Sequence, residues 1–318
     1  MADKSTFNWF PGHMNKSIKA IEEMISIVDL VIEIVDARAP FSTQNPIFKK
    51  LLTKSPKLVL LSKGDLADSA VTSIWIDYFK KQGDNPYLIK NKQHDIYNDI
   101  LKLINQMTKP KQEKQKQKGI EKPQLNILVV GIPNVGKSTV IGKLCKGKQL
   151  KIANRPGVTV GLHRIKMTDQ ITLIDSPGIL PTKFENETTA CNCAAVNSIR
   201  LDVVPKERFA TKLMRYLYNS YPNLIENKYK ISHKILRPID YDDTFKIFEE
   251  IAKVRKFTVF DEVLDFDKAI NLFITDLMAH NFGPVSFEKP IEIDKTSSFS
   301  IDKKDIDKII ESDLTVEW

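Results

Sequence analysis

Apolar residues recur along this chain in two alternating rhythms. Ile18, Ile21, Ile25 and Val28 keep helical spacing, and a short β-branched run from Leu30 to Val35 then leads to Asp36. The pattern repeats. Residues 57–61 predict a strand, 71–81 a helix, 87–89 a strand and 96–107 a helix, and the apolar runs 127–130 and 171–174 predict two more strands. Strands alternating with helices imply a mainly parallel sheet covered on both faces. Residues 109–123 are rich in lysine and glutamine with no apolar period, which predicts a solvated linker.

Further along, the rhythm becomes helical only. Phe209, Leu213 and Leu217 lie on one face while Arg208, Lys212 and Arg215 lie on another. Ala269, Phe273 and Leu277 form a second stripe, stopped by Gly283-Pro284, and Phe245, Phe248 and Ile251 or Ala252 supply a third. These stripes predict a small helix bundle whose aromatics are core rather than base-stacking platforms, because they keep helical spacing.

The chemistry begins where one strand ends. Gly131-Ile-Pro-Asn134-Val135-Gly136-Lys137-Ser138 follows the apolar run 127–130, and Thr139 continues into a segment of helical spacing. Strand, glycine-rich turn and helix N-terminus are the parts of a phosphate cradle. Lys137 would reach the β- and γ-phosphates, and the Ser138 hydroxyl would ligate Mg²⁺. Arg155-Pro156-Gly157-Val158-Thr159 offers a threonine for Mg²⁺ and the γ-phosphate. Asp175-Ser176-Pro177-Gly178 then offers a Mg²⁺-directed carboxylate and, at Gly178, a backbone N–H for the γ-phosphate.

A guanine reader stands upstream, at Ser62-Lys63-Gly64-Asp65. Asp65 would accept from guanine N1–H and N2–H₂, a donor pair that adenine lacks, and the Lys63 stem would pack on the ring. Ser62 replaces the asparagine that usually braces this pocket. Lys90 and Asn91 fall about where a further base-side element belongs. In an ordinary GTPase the phosphate loop comes first and the base reader last. The inverted order predicts an α/β, circularly permuted P-loop GTPase domain with a mainly parallel sheet, followed by a small all-α C-terminal domain. The boundaries expected are 1–184 for the first, including the linker 109–123, 185–287 for the second, and 288–318 for an acidic tail.

Two positions bear on turnover. Where many small GTPases place a water-orienting glutamine after the Asp-x-x-Gly turn, this chain has Ile179. An aliphatic side chain cannot orient water, so slow unstimulated hydrolysis is expected. Asn134 either shapes the turn or helps hold a K⁺ that offsets charge developing between the phosphates.

Net charge adds a partner. The formal charge is +8, but residues 288–318 carry five lysines against nine acidic residues, which leaves the remainder at +12. Basic residues crowd the helical region from Arg208 to Lys256, so RNA phosphates rather than DNA or a membrane are the expected contact. No apolar run approaches the roughly 20 residues that span a bilayer. The N-terminus lacks the charged-then-apolar order of an export signal, and a cytoplasmic location is expected. Cys145, Cys191 and Cys193 neither pair evenly nor make a zinc set, so reduced structural thiols are expected.

Trp9-Phe10-Pro11-Gly12-His13-Met14, Val35-Asp36-Ala37-Arg38-Ala39-Pro40, Asn45-Pro46, the base reader and the late phosphate loop together resemble ribosome biogenesis GTPase A, the bacterial YlqF/RbgA-type family. The likeness runs nearly to Phe287. It implies a cytoplasmic GTPase, using GTP/GDP and Mg²⁺, that acts late in large (50S) ribosomal subunit assembly on the precursor particle and its rRNA, with hydrolysis stimulated by the particle and coupled to release. It also implies that His13 acts as the catalytic substitute on the ribosomal target, a role an imidazole can fill near neutral pH. The reading from another class is a nucleotide-gated RNA-binding module with vestigial hydrolysis.

Overall fold

The computed structural model describes residues 13–53, 55–146, 162–181, 183–184, 186–232, 235–260 and 263–290, with side chains from Lys16 onward. Thr159 and the rest of the Arg155–Thr159 segment lie outside the described residues, as do the His13 side chain, most of the Trp9–Met14 motif, and the tail beyond Pro290.

A six-stranded sheet organises the first half. β1 (Leu30–Asp36), β2 (Lys57–Ser62), β3 (Asn85–Leu88), β4 (Leu125–Val130), β5 (His163–Lys166) and β6 (Ile171–Asp175) lie in the order β3-β2-β1-β4-β6-β5. All neighbours are parallel except β5 against β6. The apolar runs of β1, β2 and β4 are buried almost throughout, as strands covered on both faces must be. Register aligns Asp36 with Ser62, Glu33 with Val130, and Val129 with Asp175, so the chemistry-bearing strand ends share one edge. Along the sheet, later strands run one way from β4 and earlier strands the other. That reversal opens a crevice beyond the strand ends, which is where ligands bind in such folds.

Helices α1 (His13–Met24), α2 (Pro46–Leu51), α3 (Ser69–Lys81), α4 (Tyr97–Gln117) and α5 (Lys137–Leu144) accompany the sheet. α2 starts where Asn45 caps it by accepting from Ile47 N, with Pro46 in the first turn. α4 runs into the stretch expected to be a linker and ends only at Gln117, in spite of Pro110. Lysine, glutamine and glutamate are good helix formers, and an exposed helix needs no apolar period to extend from a packed stem. The structure also adds the antiparallel edge strand β5 and moves β3 two residues upstream to include Pro86, which an edge strand tolerates.

The second half is helical: α6 (Glu187–Ala195), α7 (Lys206–Ser220), α8 (Pro222–Tyr229), α9 (Tyr241–Arg255) and α10 (Phe266–Met278). Phe209, Leu213, Leu217, Ala269, Phe273 and Leu277 are buried as expected, and so are Phe248, Ile251 and Ala252. Phe245 is exposed; Thr244, Ile247 and Phe248 carry the inner face of α9 instead. One apolar cluster runs from Ile18 in α1 through the sheet to Phe287, so the bundle and the sheet share a core. After α10 the chain returns to the sheet. Val285 N donates to Leu66 O at 3.1 Å and Phe287 N to Arg38 O at 2.7 Å. Glu288, first residue of the expected tail, is buried; it accepts from Phe41 N at 2.5 Å, Ser42 N at 3.0 Å and Asn192 Nδ2 at 3.1 Å.

Candidate nucleotide site

The phosphate end is built by the turn from β4 to α5. Asn134 and Gly136 have φ of +61° and +94°, so successive peptide N–H groups turn toward one concavity before Lys137 begins the helix. The first N–H groups of α5 have no partner within the helix and carry its positive dipole end, a natural anion site. Ser138 and Thr139 are exposed in that first turn, whereas Val135 is buried and anchors the loop. Lys137 Nζ pairs with Asp175 Oδ1 at the end of β6.

Gly178 lies against the same loop. A Cβ there would stand 3.0 Å from Pro133 N and 3.1 Å from Pro133 Cα, so any side chain would press the two backbones apart by a few tenths of an ångström. Ser176 holds the turn by donating its N–H and hydroxyl to Val129 O at 3.1 and 3.0 Å. Ile179 is fully buried, which takes its side chain out of any role beside water. Its carbonyl accepts from Asn45 Nδ2 at 2.8 Å, so the Asn45-Pro46 pair fixes the chain just past Gly178.

The base end meets this loop directly. Ser62 Oγ lies 2.6 Å from Val135 O and 3.0 Å from Val35 O, so the short hydroxyl ties the base-reader strand to the phosphate loop. Lys63 Nζ donates to Asn134 O at 2.8 Å and pairs with Asp36 at 2.7 Å. Asp65 is exposed and helps line a cavity of about 270 Å³ with Lys63, Asn91, Gly136, Thr139 and Lys143. Of the pair expected beside the base, Asn91 reaches the cavity; Lys92 lines it in place of Lys90.

Asp36 is buried with its charge compensated. Burial pushes its carboxyl up, but hydrogen bonds and charge from Arg38, joined by Lys63, carry it below the usual carboxylate range. Arg38, Val196, Asn197, Met278 and His280 also border the cavity. Sequence reasoning assigned none of them a part in the site. The Asp36-x-Arg38 spacing was visible, but nothing in the sequence indicates that residues 195–197 and 278–280 come back to the base reader. Asn134, considered for K⁺, donates its side-chain amide to Asn197 O at 2.8 Å.

A larger cavity of about 460 Å³, bordered by Glu33, Phe41, Lys57, Asp84 and Phe184, includes no residue of the phosphate loop, the base reader or the Asp175–Gly178 turn. We place the site by chemistry rather than size. The three cysteines are buried free thiols; burial lifts Cys191 to about 12 and Cys193 well above the ordinary range, which makes both inert. The basic residues of the bundle are partly engaged, Lys228 with Asp276 at 3.2 Å and Lys212 with Glu187 at 3.7 Å. Arg208, Lys212 and Arg215 group beside Tyr241 on the surface of α7. Lys234 lies outside the described residues. No helix among the described residues is long and apolar enough to cross a membrane.

With a phosphate cradle and a base reader joined by direct hydrogen bonds in one crevice, the fold and site define a P-loop GTPase. Comparison with known proteins narrows this: the 50S ribosome-binding GTPase family matches residues 126–229. Ribosome biogenesis GTPase A of Bacillus licheniformis is 36% identical over 282 residues, 89% of this chain and 98% of its own. The GDP-bound structure of YlqF is similar with a TM-score of 0.55 and 25% identity, over 85% of this chain and 99% of its own. The GNP-bound structure of YlqF from T. maritima gives 0.53 over 86% and 97%. The chain belongs to the ribosome biogenesis GTPase A family.

Proposed function

We propose that this chain is a GTP-hydrolysing assembly factor that acts in late maturation of the large (50S) ribosomal subunit in the cytoplasm, with hydrolysis stimulated by the particle and coupled to release. The observation that carries this reading is the joining of base reader and phosphate loop through Ser62–Val135 and Lys63–Asn134, although the two motifs stand in inverted order in the chain. Counted from β4, the strands of the sheet run 6-5-4-1-3-2, as a GTPase sheet would if its old ends were joined and the chain reopened before β1. We therefore read residues 1–184 as a circularly permuted GTPase domain, 185–287 as an RNA-binding helical domain, and the remainder as a tail.

In this reading Asp65 discriminates guanine, Lys63 forms the platform under the ring, and Ser62 takes the bracing role of the usual asparagine. Val135, Gly136, Lys137, Ser138 and Thr139 hold the phosphates by backbone N–H groups and the lysine ammonium. The Ser138 hydroxyl and the Asp175 carboxylate are hard oxygen donors that suit Mg²⁺, which keeps most of its remaining ligands from water and phosphate. Bound Mg²⁺ would neutralise charge on the phosphates. Thr159 would add a hydroxyl and Gly178 an N–H at the γ-phosphate, and the side-chain oxygen of Asn134 would face a K⁺ beside it. His13 would orient the attacking water on the particle, because Ile179 is buried and cannot. The basic face of α7 would meet rRNA phosphates.

GTP turnover with and without immature large-subunit particles, with ATP alongside, tests the proposal. Acceleration of GTP hydrolysis alone is expected. Nucleotide-dependent docking without acceleration would leave only the binding-module reading, and no GTP or GDP uptake would end both.

A further inference from the structure

Asp36 and Arg38 carry none of the phosphate-binding or hydrolytic roles proposed above, yet they are among the most densely hydrogen-bonded side chains of the described residues. Asp36 ends β1 with its side chain fully buried. Its Oδ1 accepts from Arg38 N at 3.1 Å and Arg38 Nε at 2.8 Å; its Oδ2 accepts from Arg38 Nη2 and lies against Lys63 Nζ, both at 2.7 Å. One carboxylate thus holds the guanidinium fork from one side and the base-reading lysine from the other. Lys63 spends a second N–H on Asn134 O, so its ammonium is pinned at two points and its stem has one course across the cavity.

The outer edge of Arg38 faces the helical region. Nη2 donates to Val196 O at 3.3 Å, just past the end of α6, and Nη1 lies 3.3 Å from His280 Nδ1, just past α10. A guanidinium only donates, so His280 accepts at Nδ1 as a neutral ring with its proton on Nε2. Partial desolvation of the ring beside Arg38, and the Arg38 charge, both hold His280 below the ordinary histidine range, which agrees. The returning segment joins the same residue, through Phe287 N to Arg38 O at 2.7 Å.

The geometry points to Asp36 and Arg38 as positioning residues for the base reader: they fix Lys63 for the guanine and, through Arg38, make guanine-nucleotide affinity depend on how Val196 and His280 of the helical region are seated. This rests on the nucleotide reading above and adds to it a partner for the base-end lysine outside the GTPase motifs. Charge-assisted, bidentate bonds of this kind are the strong ones, and an Arg→Lys change at such a fork is not conservative. A purely structural ion pair would hold the fold but leave the base end no more sensitive than the phosphate end.

The test uses the full chain with Arg38→Lys, His280→Ala and the double variant, and measures Mg²⁺-dependent affinity for GDP and for inorganic tripolyphosphate by calorimetry. Tripolyphosphate carries the phosphate chain without a base. Arg38→Lys is expected to weaken GDP about tenfold and His280→Ala about threefold, with tripolyphosphate within about twofold throughout. The double variant should be no worse than Arg38→Lys alone, since His280 acts through Arg38. His280 is exposed, so its variant reports even if Arg38→Lys folds poorly. GDP affinities that stay at the wild-type value, or equal losses of GDP and tripolyphosphate, would overturn the inference; additive losses would cut His280 out of it. Failure of the wild-type chain to bind GDP would instead remove the nucleotide reading itself.

Discussion

Substituting Gly178 by alanine tests whether the Asp175–Gly178 turn reads the γ-phosphate. The added Cβ would meet Pro133 N at 3.0 Å, and Pro133 Cα and Cγ at 3.1 Å. These atoms belong to the phosphate loop and a proline ring, neither of which can rotate away as a flexible side chain would. Relief requires the turn and the loop to part by a few tenths of an ångström. Overpacking of this kind costs about 1–3 kcal/mol. If Gly178 N–H meets the γ-phosphate only when the two backbones are this close, the cost falls on triphosphate binding, about 5- to 150-fold in affinity. GDP has no γ-phosphate and should bind within about twofold of wild type. Calorimetric titration with GDP and a non-hydrolysable GTP analogue reads the difference. Equal weakening of both ligands would mean that the substitution merely damages the loop, and no weakening of either would mean that the turn does not touch the γ-phosphate.

Other expectations follow from the same geometry. Ser62→Ala removes the hydroxyl that bridges β2 to Val135 O, and should lower GDP affinity about 5- to 10-fold, the worth of roughly one hydrogen bond; a lowered melting temperature with unchanged affinity would reduce Ser62 to a fold residue. His13→Ala should abolish most particle-stimulated hydrolysis and leave unstimulated turnover as it was, read by phosphate release with and without particles. Hydrolysis should be faster in KCl than in NaCl at matched ionic strength, and equal rates would assign Asn134 to turn geometry. For pH, Asp36 and Glu288 act in opposite senses. Asp36 titrates below its unfolded value, so its contribution is present above the unfolded carboxylate range and is lost as pH falls through the folded value. Burial pushes Glu288 above its unfolded value against the hydrogen bonds from Ser42, Phe41 and Asn192, so its contribution is present below the unfolded range and lost as pH rises through the folded value. Melting curves of Asp36→Asn and Glu288→Gln against pH should flatten on the acid side for the first and above the carboxylate range for the second.

Much of this was legible because the relevant signals are local. Buried parallel strands need unbroken apolar runs, and a phosphate loop needs glycine, lysine and serine at fixed spacing, so β1, β2, β4, β6 and the loop could be read directly. The antiparallel edge strand β5, His-Arg-Ile-Lys, buries only Ile165 fully and offers no run to recognise. α4 overran its expected end because solvent-facing helix is specified by propensity, which lysine and glutamine satisfy without any apolar pattern. Phe245 obeyed helical spacing yet faces water, since period alone does not locate the edge of an apolar stripe. Least legible were Val196, Asn197, Met278 and His280, whose place at the base end depends on long-range closure of the chain.

That closure gives the inverted motif order a mechanical consequence. From Gly178 the chain runs through Ile179, held by Asn45, directly into the segment that leads to α6. If Gly178 meets the γ-phosphate as proposed, that contact would pull at the first helix of the bundle, with no further strand among the described residues between. The end of α6 touches the phosphate loop through Asn197 O to Asn134, and through Val196 O it touches Arg38, whose partner Asp36 holds the base-reading Lys63. The end of α10 and the returning segment close on Arg38 and Leu66. Beyond the apolar core it shares with the sheet, the bundle is thus tied to the phosphate end by covalent chain and by the Asn197–Asn134 bond, and to the base end by hydrogen bonds. In the proposed reading, such an arrangement would let loss of the γ-phosphate reorient the helices while GDP stays held, which is what release after hydrolysis would require. Gly178→Ala and Arg38→Lys address its two attachments separately. If both changed GTP and GDP affinity alike, the bundle would be a passive cover over the site, and release would have to be driven by the particle rather than by the nucleotide.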